Sequence, residues 1–262
     1  MPTRDNAPIG SPCWVDLMSS DTTRSREFYS QLLGWQAEEP NEAFGGYFNF
    51  TLNGAREAGC MASQPGQGPS DVWSVYLAVE DAAKSVEVAV ANGATVIAHA
   101  MQVGDLGSMA VVADPTGAAI GMWQPGTHKG FGYVAESGAP GWFELHTRDH
   151  DAAVAFYREV FGWETQPMED PQMRYTMKMG PDGPEAGIMD ASATLIEGMP
   201  SYWSVYFAVD DANAALAKVT ELGGAVVIPV ENTPNGNLAT ATDANGALFR
   251  IVAPNERMPA RD

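Results

Sequence analysis

Apolar and polar residues alternate along several short stretches of the chain, which is the pattern of half-buried β-strands. Between them lie amphipathic stretches that begin at an aspartate and end at a glycine, as helices often do; the clearest runs from Asp21 to Gly34. Further helices are expected near Asp81–Asn92, Asp151–Phe161 and Asp211–Leu222. Because each helix follows one strand and precedes several others, the pattern predicts four β-α-β-β-β units.

The chain repeats itself once. The stretch that begins at Trp14 returns at Trp142, 128 residues further on, and the stretch that begins at Trp73 returns at Trp203, 130 residues further on. Solenoid repeats have periods of roughly 20–50 residues, so this spacing indicates a duplicated domain. Differences between the two halves therefore indicate where the chemistry lies.

The length of 262 residues fits two domains of ordinary size, and 45% of the residues are hydrophobic. We expect a first domain over residues 10–125 and a second over residues 141–255. A glycine-containing linker over residues 126–140 should join them.

The net charge of −19 argues against a nucleic-acid partner, which needs a basic face. No apolar run approaches the roughly 18 residues of a membrane span, so no membrane partner is expected. The first residues, from Met1 to Pro8, lack the apolar core of a signal peptide. A cytoplasmic location is the expectation, with export by another route left open.

Several motifs point to one family: Asp21 followed by Phe28-Tyr29, then Gly34-Trp35, and the turn that begins at Asp114-Pro-Thr-Gly. They resemble the vicinal-oxygen-chelate superfamily of glyoxalases, bleomycin-resistance proteins and extradiol dioxygenases. The tandem form is similar to a two-domain actinobacterial group of glyoxalase-like or hydroxylase-like proteins. The resemblance implies an α+β fold of two tandem glyoxalase-like domains, each a curled sheet of two paired β-α-β-β-β units around a cleft.

The resemblance also implies positions for metal ligands, on the first strand of each unit and on the last strand. In the first half these positions fall on Trp14, Ser74, Gly121 and a residue near Gly59. Their counterparts in the second half are Trp142, Ser204, Arg250 and a residue near Gly187. Such residues are poor metal ligands, and an arginine would repel a cation. We therefore expect no metal and no other cofactor.

Strand alternation assigns side chains to the two faces of each sheet. On the first strand, Val15 and Leu17 should pack in the core, and the intervening residues should face the cleft. The same reasoning predicts the following ligand-binding residues: Trp14, Asp16, Met18, Ser74, Tyr76, Trp123, Trp142, Ser204 and Tyr206. An aromatic lining with few polar groups suits a small organic ligand.

Two carboxylates occupy equivalent cleft positions, Asp16 and Glu144. Burial beside aromatic rings should raise the pKa of each. Either carboxylate could then act as a general base or anchor a ligand, or it could instead be satisfied by neighbouring polar groups.

Glu144, His146 and Arg250 are the candidate catalytic residues, because alternation places all three on the second cleft. The counterpart of His146 in the first half is Met18. Such a group could bind an acid or move a proton, or form a structural ion pair. The other histidines, His99, His128 and His150, are expected on the surface.

The sequence favours a protein that binds a small aromatic or hydrophobic molecule without metal. The alternative is a metal-independent lyase, isomerase or hydroxylase-like enzyme that uses Glu144 and His146, so the question of catalysis stays open. The expected partner is a small-molecule ligand, and the chain is expected to be a monomer or a homodimer.

Overall fold

The computed structural model describes residues 6–64, 66, 68–169 and 173–258. Within these residues the chain forms two eight-stranded sheets and four α-helices. The expected α+β fold, with two tandem domains of paired β-α-β-β-β units, is confirmed. Among the described residues, no helix is both long enough and apolar enough to cross a membrane.

The first half forms one sheet and two helices. In chain order its elements are β1 (Pro12–Ser19), α1 (Thr22–Leu33), β2 (Gln36–Ala37), a 3-10 turn (Glu42–Phe44), β3 (Phe48–Leu52), β4 (Ala55–Ala62), β5 (Val72–Ala78), α2 (Ala82–Ala91), β6 (Thr95–Val103), β7 (Gly107–Ala113) and β8 (Ala119–Pro125). The strands lie side by side in the order β2-β3-β4-β1-β5-β8-β7-β6.

The second half repeats this arrangement. Its elements are β9 (Pro140–Thr147), α3 (His150–Phe161), β10 (Glu164–Pro167), β11 (Tyr175–Gly180), β12 (Gly183–Asp190), β13 (Tyr202–Ala208), α4 (Ala212–Glu221), β14 (Ala225–Thr233), β15 (Gly236–Thr242) and β16 (Leu248–Ala253). The order is β10-β11-β12-β9-β13-β16-β15-β14, so each strand occupies the place of its counterpart.

The helix ends follow the predicted capping. The side chain of Asp21 accepts a hydrogen bond from the backbone N–H of Arg24, and Gly34 ends the helix with a left-handed φ of 72°. Asp149 and Gly162 do the same for α3. The strand β6 lies at the edge of its sheet, and its exposed residues include Ile97 and Met101.

The assignment of strand faces holds. Val15 and Leu17 are fully buried on the helix side of the first sheet, as are Val75 and Leu77 on β5. Asp16 lies opposite Ser74 across the antiparallel pair of β1 and β5, which joins the two units at the centre of the sheet. We call the opposite face of the first sheet the first cleft and that of the second sheet the second cleft.

Two buried hydrogen-bond chains cross between the halves. The indole N–H of Trp73 donates to the Tyr29 hydroxyl (2.9 Å), which donates to Asp243 of the second half (3.0 Å). The reciprocal chain runs from Trp203 to Tyr157 (2.8 Å) and on to Asp114 of the first half (3.0 Å). Each aspartate thus anchors a tyrosine of the other half.

Aromatic packing joins the same surfaces. The ring of Phe207, on β13, lies 5.3 Å from that of Trp35 and 5.2 Å from that of Trp73. Trp35 also donates to the backbone carbonyl of Gly138, and Trp163 makes the matching bond to Gly10. The two halves therefore share one hydrophobic core, so we expect them to unfold together.

The linker crosses the first cleft. Its backbone bonds to β1 and β4. The N–H of Phe131 donates to the carbonyl of Cys13 on β1, and the N–H of Gly132 donates to that of Arg56 on β4. The Phe131 ring stacks on Trp14 with centroids 5.8 Å apart. His128 accepts a hydrogen bond from the Trp123 indole at its backbone carbonyl. These contacts cover the Trp-lined part of the first cleft.

A buried carboxyl group faces this linker. Glu57 is fully buried, and one of its oxygens accepts a hydrogen bond from the backbone N–H of Tyr133 (2.9 Å). Its other oxygen has no hydrogen-bond partner among the described residues. Burial raises the pKa of Glu57 to about 8. Its counterpart Glu185 instead pairs with Lys178 and accepts a bond from Ser11.

Tyr29→Phe and Tyr157→Phe should each lower the free energy of unfolding by about 1–3 kcal/mol. Each change leaves a buried aspartate oxygen and a buried indole N–H without a partner. Urea denaturation followed by circular dichroism measures the effect. Tyr133→Phe, in the linker and outside both chains, is the matched control and should change stability by less than about 0.5 kcal/mol. Equal stability of all three variants would contradict the proposed role of the crossing bonds.

Glu57→Gln should remove a pH dependence of stability. The pKa is about 8 in the folded chain against an ordinary value of 4.5, so the folded state retains a proton that the unfolded chain releases. The stability that this proton supplies is complete below pH 4.5 and is lost as the pH rises towards 8, by up to about 1.4 kcal/mol per pH unit.

Chemical denaturation between pH 5 and 8 should therefore show the variant gaining stability, relative to the unmodified chain, as the pH rises. Glu87→Gln, on the exposed side of α2, is the control and should leave the pH profile unchanged. Parallel profiles for the Glu57 variant and the unmodified chain would show that Glu57 is ionised in the folded protein.

Candidate functional site

The second cleft gathers side chains from four adjacent strands. Tyr206 lies beside Trp142 on one side and beside Arg250 on the other, and Arg250 lies beside Thr240. In the first half, Gly121 stands at the position of Arg250 and Val111 at that of Thr240, and these two residues also pair across adjacent strands. The shared frame thus carries a polar row in the second half where the first half is apolar.

Glu144 is at the centre of this cleft. Its two oxygens accept hydrogen bonds from the hydroxyls of Tyr175 (2.9 Å) and Tyr206 (2.7 Å). His146 Nε2 lies 2.8 Å from Glu144 Oε2, an ion-pair distance, although the contact is outside hydrogen-bond alignment. The structure therefore brings Glu144 and His146 together as predicted.

The electrostatic prediction for Glu144 is wrong. Burial alone would raise its pKa, but the contact with His146, the charge of Arg250 and the hydrogen bond from Tyr206 hold the pKa below its usual value. For Asp16 the prediction is right: burial raises the pKa, and hydrogen bonds from Tyr47 and Trp14 only partly offset it. The second cleft thus holds a buried carboxylate whose ionised form is stabilised by its neighbours.

Unpartnered polar atoms lie beside Glu144. Within the described part of the chain, neither the Ser204 hydroxyl nor the Arg250 Nε has a hydrogen-bond partner, and Ser204 is only 3% exposed. The Arg250 guanidinium lies over the Tyr206 ring, 5.4 Å from its centroid. The rings of His146 and Tyr202 stack at 4.9 Å and 9°. Buried donors left in this way indicate a place for a ligand or for water.

The first cleft is built differently. Trp14 and Tyr47 both donate to one oxygen of Asp16, at 2.9 and 2.8 Å. No histidine or arginine lies at the positions equivalent to His146 and Arg250. The linker then covers Trp14 with Phe131.

The predicted ligand-binding residues differ in their accessibility. Five are buried, namely Trp14, Tyr76, Trp123, Ser204 and Tyr206. Asp16, Met18, Ser74 and Trp142 remain partly exposed. The accessible part of the second cleft is therefore formed by Trp142 together with Tyr202 and Arg250.

Sequence reasoning missed the tyrosines that complete both clefts. Tyr47, directly before β3, donates a hydrogen bond to Asp16, and Tyr175, the first residue of β11, donates one to Glu144. They are 128 residues apart, so an alignment of the two halves would have found them. Tyr202, which stacks on His146, shares the strand face of Ser204 and could have been found by alternation.

The expected surface location is right for His99 and wrong for two other histidines. His128 is half-buried against Trp14, with ring centroids 4.3 Å apart. His150 is only 6% exposed. His128 lies in the linker and His150 at the start of α3, two kinds of segment that are usually exposed. The sequence pattern does not show which residues pack over them.

The positions that the resemblance assigns to metal ligands do not fit a metal. No group of three or more histidine, cysteine, aspartate or glutamate residues that could hold a metal occurs among the described residues. Tyrosine side chains fill the space instead, since a Cβ at Gly59 would lie 1.8 Å from the Tyr47 hydroxyl and one at Gly187 would lie 1.7 Å from the Tyr175 hydroxyl.

Comparison with known proteins agrees with this fold. Residues 14–121 match the model of a glyoxalase-like domain, and residues 139–251 match that of the Glyoxalase/Bleomycin resistance protein/Dioxygenase superfamily. A Mycobacterium tuberculosis protein provisionally named glyoxylase CFP32 is 37% identical over 260 residues, which cover 97% of this chain and 98% of the relative.

The anthracycline biosynthesis protein DnrV of Streptomyces peucetius is 35% identical over 273 residues and 96% of each chain. The Mn(II)-bound glyoxalase from Novosphingobium aromaticivorans has a similar structure, with a TM-score of 0.65 and 15% identity over 98% of this chain and 89% of that one. This likeness concerns the fold alone. Family models on both halves and relatives over nearly the whole length agree, and the chain belongs to the Glyoxalase/Bleomycin resistance protein/Dioxygenase superfamily.

Proposed function

We propose that the protein binds a small aromatic molecule carrying an anionic or carbonyl oxygen, in the second cleft and without a transition metal. The observation that carries this proposal is the pair of unpartnered polar groups, the Ser204 hydroxyl and Arg250 Nε, which lie beside aromatic rings within the described chain. A ligand oxygen would satisfy both groups.

The aromatic character of the ligand follows from the accessible wall. Trp142 and Tyr202 are partly exposed and offer ring surfaces, while the arginine fork of Arg250 suits a planar oxygen-bearing group. The names of the relatives in anthracycline biosynthesis are in keeping with an aromatic ligand. The first cleft is the weaker candidate, because Phe131 of the linker already stacks on Trp14.

A second candidate function is metal-independent catalysis. It is favoured by the distance of 2.8 Å between His146 Nε2 and the ionised Glu144, which places a possible proton carrier beside a carboxylate. His146→Met, which copies Met18, separates the two functions. In a catalyst this change would abolish turnover of a bound ligand, whereas in a binding protein no turnover would be present to lose.

Arg250→Gly, which copies Gly121, should remove the preference for an anionic ligand. We expect 1-naphthoate to bind the unmodified chain at least about tenfold more tightly than neutral 1-naphthalenemethanol, because a charge-assisted hydrogen bond contributes about 1.5–3 kcal/mol. The variant should bind both probes with similar affinity. Quenching of tryptophan fluorescence measures the dissociation constants.

Arg250→Lys is the conservative control; it keeps the charge but not the fork, and should give an intermediate preference. Trp142→Ala should weaken the binding of both probes by roughly 1–3 kcal/mol, because a bound ligand would cover the exposed part of this ring. Circular dichroism checks that each variant folds. An unchanged preference for 1-naphthoate in Arg250→Gly would refute this assignment of the site.

Purified protein should hold no stoichiometric manganese, iron, nickel or zinc. The reason is the donor set, in which Trp142, Ser204 and Arg250 stand at the positions implied for metal ligands. Elemental analysis after exposure to excess Mn(II) and desalting is the measurement. About one tightly retained metal ion per chain would contradict metal independence while leaving the aromatic-ligand test unaffected.

A further inference from the structure

A groove of about 740 Å³ lies between α3, the edge strand β10 and its neighbour β11. Its apolar lining includes Val154, Ala155 and Pro167, and two arginines, Arg158 and Arg174, stand along it. None of Glu144, His146 and Arg250 lines it, although Tyr175, whose hydroxyl donates to Glu144 in the second cleft, forms part of its wall. Neither the family match nor the proposed cleft ligand assigns a role to this groove.

The same place in the first half is smaller and partly filled. There the groove between α1 and β2 has a volume of about 410 Å³ and is lined by Arg26, Glu27, Ser30, Gln31 and Ala37. The Arg26 guanidinium lies 4.8 Å from the centre of the Phe48 ring. In the second half the counterparts of these two residues are Val154 and Thr176. Smaller side chains therefore leave the groove open in the second half.

The charge of the lining also differs between the two grooves. Glu27 of the first groove is replaced by Ala155, and Ser30 is replaced by Arg158. Arg26 is replaced by Val154, and the second groove also contains Asp151 and Arg174. The ionisable carboxylates and arginines of the lining therefore balance in the first groove (Arg26, Glu27) and leave one net positive charge in the second (Asp151, Arg158, Arg174). In a chain of net charge −19, such a local gain of positive charge favours an anionic occupant.

His150 supplies an independent indication of a ligand. It lines the groove and is 6% exposed. Its ring lies near the backbone of Ile188, but neither ring nitrogen has a hydrogen-bond partner in the described ranges. Burial and the charge of Arg174 lower the pKa of His150, so a neutral imidazole offers one donor and one acceptor. Asp151, also in the lining, pairs with Arg174.

We propose that this groove is a second ligand site, which binds a small amphiphilic anion: an organic carboxylate, sulfonate or phosphate ester with an apolar body. Arg158 and Arg174 contact the anionic group, Val154 and Pro167 contact the apolar body, and His150 hydrogen-bonds to a polar atom of the ligand. The proposal does not rest on the function proposed for the second cleft.

The probe for this site is 8-anilino-1-naphthalenesulfonate, whose fluorescence rises in an apolar environment. Val154→Arg together with Arg158→Ser copies Arg26 and Ser30 of the first half and leaves the net charge unchanged. We expect the double variant to bind the probe at least about tenfold more weakly. Ala155→Glu, an exposed change that copies Glu27 and does not threaten folding, should weaken binding in the same direction.

The control is the charge-neutral exchange Lys218→Glu with Glu221→Lys on α4, which should leave the affinity unchanged. Histidine NMR then locates the probe, because the chain has four histidines in four different places. Perturbation of the His150 resonances supports the groove. Perturbation of His146 alone, or unchanged affinity in both groove variants, overturns the proposal without affecting the function proposed for the second cleft.

Discussion

The reciprocal hydrogen bonds of Tyr29 to Asp243 and of Tyr157 to Asp114 are the interactions on which the arrangement of the two halves depends. Burial raises the pKa of both aspartates, so their partners matter to the stability of the folded chain. Each aspartate also accepts backbone N–H bonds of its own turn, as Asp243 does from Ala247. One carboxyl group thus fixes both a local turn and the contact between domains, which explains why the halves share one core.

Because these bonds and the shared core lie on the helix side of each sheet, residues in the two clefts can differ without disturbing the contact between the halves. In the second cleft, Arg250 and His146 replace Gly121 and Met18, and they stabilise the ionised form of Glu144. In the first cleft, Asp16 accepts a hydrogen bond from Trp14, and burial raises its pKa. The linker then packs onto the first cleft. Duplication therefore produced one covered apolar face and one polar face on the same scaffold.

Alternation in the sequence predicted most of the fold and the composition of the polar row. It placed Glu144, His146 and Arg250 on one face because strand periodicity fixes direction regardless of distance along the chain. It could not predict the lowered pKa of Glu144, since this depends on charges that three different strands bring together. It also missed the packing of Phe131 and the burial of His150, because periodicity does not reveal which segment covers a face.

The central claim is that the second cleft, rather than the first, takes the aromatic ligand. Histidine NMR during titration with 1-naphthoate tests it most directly, because His146 lies in the second cleft and His128 packs against Trp14 of the first. The account predicts saturable shifts of the His146 resonances, with those of His128 unchanged. Shifts of His128 with His146 unaffected would show that the ligand enters the first cleft and would contradict the account.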